Sequence, residues 1–141
     1  MHDRYNLNRF VEAQNPVYAG VFAELRQGRK TGHWMWYVFP QIEGLGYSDM
    51  ARRFAISSLA EAIAYLEHPL LGLRLRECTQ LVSHVKDRTI HEIFGSPDEL
   101  KFRSCMTLFA AAATAPNVFE DALGKFFSGE RDALTLQRIR D

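Results

Sequence analysis

The sequence is poor in the features that mark specialised classes of protein. Its only cysteines are Cys78 and Cys105, each in an apolar setting, which excludes a disulfide framework and favours buried thiols in a reducing compartment. There is no excess of charge, because 17 Lys and Arg balance 17 Asp and Glu and the two signs are interspersed. Nothing therefore favours duplex nucleic acid or an anionic membrane surface as a partner.

Long hydrophobic runs are also missing. The longest, residues 106–115, contains two threonines and is too short to span a bilayer. Residues 1–6 have no apolar stretch of the kind found in a secretory signal. We therefore predict a cytoplasmic protein that does not enter a membrane.

Strand-like alternation of polar and apolar residues is absent except within residues 35–39, which is too little for a sheet. Helical spacing dominates instead, as in Leu71, Leu75, Cys78 and Val82. Proline and glycine interrupt the pattern repeatedly, so the helices should be short. The sequence predicts an all-α fold: one compact globular domain over residues 1–141, with about seven or eight short helices packed orthogonally and no sheet.

No motif for a metal or a cofactor stands out. The five histidines show no spacing that would place two ligands on one helical face, and we predict neither a metal site nor a cofactor. Residues 28–32 (GRKTG) resemble a phosphate-binding loop only superficially, since the P-loop order of glycine, lysine and hydroxyl residue is broken and a helix precedes them. A weaker interpretation is that Lys30 and the backbone amides of this turn hold an anion.

The aromatic stretch from Lys30 to Gln41 is the strongest candidate for a site. It contains both tryptophans together with His33 and other polar side chains, and ligand pockets typically combine apolar walls with a few convergent polar groups. Our leading hypothesis is a binding domain for a small polar or anionic metabolite, such as a nucleotide. Lys30 would hold the anion, Trp36 a flat ring and Gln41 a polar edge, while His33 could carry a proton. Further candidate site residues are Arg74, Asp98 and Lys101.

Two other functions stay open from the sequence. In one, the protein is a non-enzymatic interaction or scaffold module and the aromatic stretch is wholly core. In the other, it hydrolyses a nucleotide-derived bond, with His33 or Asp98 as acid or base. A small-molecule ligand is the partner that the leading hypothesis predicts, and the sequence makes no prediction of oligomeric state.

Several motifs are similar to those of one family. They are RFVEAQ at residues 9–14, GRKTGHWMW at 28–36 with FPQ at 39–41, HPLLGLRL at 68–75, and FG at 94–95 followed by Asp98, Lys101 and SCMTLF at 104–109. Together they resemble the family called domain of unknown function 1810. The resemblance implies a mainly helical, single-domain protein of a mostly bacterial family. It implies no activity and no catalytic residue. Cys105 stands where the family more often has a small residue such as serine, which argues against a cysteine nucleophile.

Overall fold

Ten helices form the regular structure of residues 3–140, the part of the chain that the computed structural model describes. They are α1 (Asn8–Gln14), α2 (Tyr18–Arg26), α3 (Met35–Val38), α4 (Asp49–Arg53), α5 (Leu59–Glu67), α6 (Leu71–Ser83), α7 (Ile90–Phe94), α8 (Asp98–Ala112), α9 (Val118–Phe127) and α10 (Ala133–Arg140). The only strand-like pairing in this part of the chain is an isolated parallel bridge between Ile42 and Ile56. The predicted all-α class is confirmed. The count exceeds seven or eight because α3, α4 and α7 have only four or five residues.

Helix α8 occupies the centre of the fold. It packs against α5, α7, α9 and α10, and Phe102 and all residues from 104 to 110 are buried. The hydroxyls of Ser104 and Thr107 donate to carbonyl oxygens one turn earlier, at 3.1 and 2.8 Å, so these polar groups are satisfied inside the core. No helix in residues 3–140 is long and apolar enough to cross a membrane.

An arginine clamp joins α1 to the chain between α4 and α5. The Arg9 guanidinium donates to the carbonyl oxygens of Arg53 and Ala55 at 2.9 and 2.8 Å and to Glu61 Oε2 at 3.0 Å. Glu61 is only 2% exposed, and its other carboxylate oxygen accepts from the Ser57 N–H and hydroxyl. The first motif of the family resemblance therefore contains a residue that holds the fold together.

An aromatic cluster fixes the end of α3 against the central helix. The Phe39 ring lies 5.7 Å from the Phe94 ring and 5.1 Å from the Phe102 ring, both in edge-to-face geometry. Such contacts add roughly 0.5–1.5 kcal/mol each to the area that the rings bury. They place residues 35–41 beside the first turn of α8, where the candidate site lies.

Candidate functional site

A carboxylate of the protein itself fills the glycine-bracketed turn that follows α2. Glu24 Oε1 accepts hydrogen bonds from the backbone N–H groups of Thr31 and Gly32 at 2.6 and 2.8 Å, and from Trp34 Nε1 at 3.1 Å. Burial raises the pKa of Glu24, but these donors together outweigh it and hold the pKa below its usual range. The interpretation that the amides of this turn hold an external anion is therefore wrong, because Glu24 occupies them.

The tryptophan, tyrosine and phenylalanine rings of the aromatic stretch are all core except one. Trp34, Met35, Tyr37, Val38 and Phe39 are all buried. Trp36 lies on the outer side of the single turn of α3 and is only partly buried. Trp34 is thus a core residue with a satisfied indole N–H, and Trp36 is the tryptophan whose ring reaches solvent.

The exposed side of Trp36 lines a cleft of about 480 Å³. Its apolar wall includes Met35, Phe39 and Phe54, and the loop from Gln41 to Tyr47 forms one side. Polar and charged side chains also line it: Gln41, Glu43, Arg52 and Lys101. The volume lies within the range of small-molecule sites, which are roughly 300–1,000 Å³.

Two lysines share one carboxylate beside this cleft. Asp98 receives Lys30 Nζ at 2.9 Å and Lys101 Nζ at 3.5 Å. The first contact has hydrogen-bond length, whereas the second is too long for a good one. The Lys30 side chain is 9% exposed and that of Lys101 is 29% exposed. Lys30 is therefore the closer and more buried partner of Asp98, while Lys101 is more weakly paired and more exposed.

Each of these lysines also lies over a tryptophan. Lys30 Nζ is 5.3 Å from the Trp34 ring centroid, and Lys101 Nζ is 5.7 Å from the Trp36 ring centroid. Both distances are within the range of cation–π attraction, about 6 Å. The site therefore contains two lysine–tryptophan pairs, one in the core and one at the cleft. Asp98 contacts the lysine of each pair.

The structure brings together some of the predicted site residues and separates others. Trp36, Gln41 and Lys101 line the cleft, and Lys30 and Asp98 adjoin it through the ion pairs. His33 is exposed and does not line it.

Arg74 does not join the predicted group. Its guanidinium lies over the Tyr18 ring, 4.6 Å from the centroid, and donates to Gln14 Oε1 at 3.3 Å. Gln14 in turn donates to the Tyr37 carbonyl oxygen and to the Tyr65 hydroxyl. Arg74 therefore belongs to a polar network among α1, α2 and α6 and lies apart from the cleft.

Sequence reasoning missed Arg52 and Tyr47, which line the cleft from α4 and from the loop before it. Ser48 caps α4, since its Oγ accepts from the Ala51 N–H at 3.1 Å. A serine at this position indicates the start of a helix, and this signal could have drawn attention to Tyr47 and Arg52. A five-residue helix has no period from which its inner face can be deduced.

Within residues 3–140, no group of three or more His, Cys, Asp or Glu side chains is arranged to hold a metal ion. The cleft instead offers one accessible indole ring, one side-chain amide and two cations against one carboxylate. This set of groups can stack on a flat ring, exchange hydrogen bonds with a polar edge and attract an anion.

Comparison with known proteins gives a family and a structural neighbour. The chain is similar to the conserved hypothetical protein Rv1873 from Mycobacterium tuberculosis, whose crystal structure matches it with a TM-score of 0.97 and 55% sequence identity over 99% of each chain. No curated protein matches. The family described as protein of unknown function (DUF1810) matches residues 4–139. The chain therefore belongs to the DUF1810 family, as its motifs indicated.

Proposed function

We propose that the protein binds a small anionic metabolite that contains a flat ring, such as a nucleotide, in the cleft beside Trp36. The observation that carries this proposal is the meeting of three groups in one cleft that are accessible to a ligand. They are the partly exposed Trp36 ring, the Gln41 amide and the Lys101 ammonium. In the described part of the chain, neither the Gln41 amide nor the Trp36 indole N–H has a hydrogen-bond partner.

Each group has a separate role in the proposed complex. Trp36 stacks on the ring, which is worth roughly 1–3 kcal/mol for a nucleobase. Lys101 and Arg52 attract the anion, and Gln41 hydrogen-bonds a polar edge of the ring. Lys30 acts indirectly: by pairing with Asp98 it leaves that carboxylate only partly available to Lys101. His33 and Arg74 do not line the cleft and have no role in the proposed complex.

The geometry gives less support to hydrolysis. The two candidates for acid or base, His33 and Asp98, do not line the cleft, and Asp98 is occupied by two lysines. General acid–base catalysis needs a group within hydrogen-bond reach of the proton that it transfers. The alternative in which the aromatic stretch is wholly core agrees with the burial of Trp34. It gives no reason for the partial exposure of the Trp36 ring.

A thermal-shift screen of nucleotides, dinucleotides and phosphorylated metabolites tests the proposal, with the affinity of each hit measured by calorimetry. Trp36→Leu should weaken binding by about fivefold or more, in line with lost stacking. Lys101→Gln should weaken it by about tenfold, since a hydrogen bond to a charged group is worth roughly 1.5–3 kcal/mol. Lys101→Gln should keep the melting temperature of the unliganded protein nearly unchanged, because surface ion pairs contribute little. Trp36→Leu should lower it, because the ring packs partly against the core.

Lys86→Gln is the matched control, because Lys86 is exposed and does not line the cleft. It should bind each hit as the wild type does. A screen without any stabilising compound would refute the proposal. So would hits whose affinity is the same in Trp36→Leu and Lys101→Gln as in the wild type.

A further inference from the structure

A second groove of about 460 Å³ adjoins the cleft. It runs between the loop before α4, the first turns of α8 and the start of α10. Gln41, Tyr47 and Lys101 line both depressions. The cleft and this groove are therefore adjacent depressions, and Lys101 lies at the junction between them.

Exposed apolar side chains converge on this groove. Three of the five large hydrophobic residues exposed in the described chain line it: Tyr47 at 79%, Leu100 at 56% and Leu134 at 61%. The other two, Ile63 and Leu73, lie on α5 and α6. Single exposed apolar residues are normal on a protein surface, whereas clustered ones in a concavity mark binding.

Three polar side chains of the groove already have hydrogen-bond partners within the protein. Ser48 Oγ caps α4, and the Ser104 hydroxyl donates to a carbonyl oxygen of its own helix. The Asp132 carboxylate accepts from the Thr135 N–H at 2.9 Å and from the Thr135 hydroxyl at 2.6 Å. What the groove offers an occupant is consequently apolar surface, with the amide of Gln41 and the charge of Lys101 at one end.

We infer that the ligand is elongated and amphipathic, with an apolar arm that lies in this groove. The inference rests on the proposed function, since the ring occupies the cleft and the anion sits at the junction beside Lys101. An arm attached to the anion would then leave the junction along Leu100 and Leu134. The class is that of a nucleotide-like anion esterified with an aliphatic or aromatic group.

The size of the apolar surface favours such an arm over a protein partner. A stable protein interface buries at least about 1,000 Å² in total, and three exposed apolar side chains around a groove of about 460 Å³ do not provide that area. An arm of a few carbon atoms, in contrast, can be covered by them.

Two synthetic probes test the inference: adenosine 5′-methyl phosphate and adenosine 5′-hexyl phosphate. They share the base, the sugar and the single negative charge, and they differ only in the length of the apolar arm. Each fully buried methylene strengthens binding by about fourfold. Even partial cover of the longer arm should make the hexyl ester bind at least about tenfold tighter, as measured by calorimetry.

Leu134→Ser should reduce this advantage severalfold and leave the affinity for the methyl ester unchanged. Leu100→Ser should do the same, and both residues are exposed enough for the variants to fold. Leu73→Ser is the matched control, because Leu73 is 62% exposed but lies outside the groove.

The outcomes separate this inference from the proposed function. If both esters bind equally, the inference is overturned and the proposed function stands. If neither ester binds, the inference is overturned for adenosine phosphates, and the proposed function is judged by the wider screen. If the hexyl ester binds tighter but Leu134→Ser and Leu100→Ser keep the full advantage, the arm lies elsewhere and the inference is also overturned.

Discussion

Replacing Glu24 by Gln should destabilise the protein, and by an amount that depends on pH. Glu24 Oε1 accepts three hydrogen bonds in the turn that leads into the aromatic stretch. Hydrogen bonds to an ionised group are roughly twice as strong as those between neutral groups. Glutamine keeps the shape and one carbonyl oxygen but removes the charge, so the variant retains the bonds in weaker form.

The expected loss at neutral pH is about 1–2 kcal/mol in the free energy of unfolding. Hydrogen bonds to a charged group contribute roughly 1.5–3 kcal/mol when well shielded. The Glu24 side chain is only partly buried, and solvent screening reduces the electrostatic share of each bond. Water can also accept hydrogen bonds from the Thr31 and Gly32 N–H groups in place of Glu24. Because of these reductions, the three hydrogen bonds together should lose only about 1–2 kcal/mol of stability in the variant.

The direction of the pH dependence follows from the lowered pKa. A carboxyl whose pKa in the folded protein lies below its ordinary value of 4.5 stabilises the fold above that pH. The contribution is lost as the pH falls through the folded-state pKa. The difference between wild type and Glu24→Gln should therefore be constant from pH 7 to about pH 5 and shrink as the pH falls below 4.5.

Urea unfolding followed by circular dichroism measures both quantities. Glu67→Gln is the control, because Glu67 is exposed on α5 and its carboxylate accepts no hydrogen bond in residues 3–140. It makes the same change in charge and should alter the stability by less than about 0.5 kcal/mol. The reasoning would be refuted by a Glu24→Gln protein as stable as this control, or by a stability difference that stays the same at low pH.

Two further predictions concern the interior. Arg9→Ala should lower the free energy of unfolding by about 3 kcal/mol, because it leaves the 2%-exposed Glu61 without its cation; a loss below about 1 kcal/mol in urea unfolding would contradict this. The thiols should not react with Ellman's reagent in the native protein, since burial raises the pKa of Cys78 to about 12 and that of Cys105 well above its ordinary value. They should react only as the chain unfolds, and rapid native labelling would count against the packing described.

The positions of the longer helices and of their ends were predictable from the sequence. The spacing of Leu71, Leu75 and Cys78 indicated α6, and all three are buried. Gly28 follows the end of α2, where glycine is typical of a left-handed helix cap, and it has a φ of +80°. Such features are local, since each is decided within about one or two turns of the same helix.

The candidate site was less predictable because tertiary contacts form it. Arg74 and Gln14 are sixty positions apart, and nothing in either segment indicates that they meet. Arg52 belongs to a helix of one turn. The choice of Trp36 over Trp34 as the ring available to a ligand agrees with its exposure, but the partner of Trp34 was missed. Glu24 lies one turn before Gly28, so a carboxylate reaching back to the turn could have been considered.

The burial of residues 104–110 of α8 has a consequence for the dynamics of the molecule. Amide hydrogens exchange with solvent when the segment that holds them opens, and a helix enclosed by four others cannot open alone. Exchange at residues 104–110 should therefore require unfolding of the whole chain, whereas the loop from Gln41 to Tyr47 can open locally. Lys101 belongs to α8, where amide exchange should be slow, and Gln41 belongs to the loop, where it should be fast. A ligand held between them would connect the two, and its binding should appear as slowed exchange in the loop.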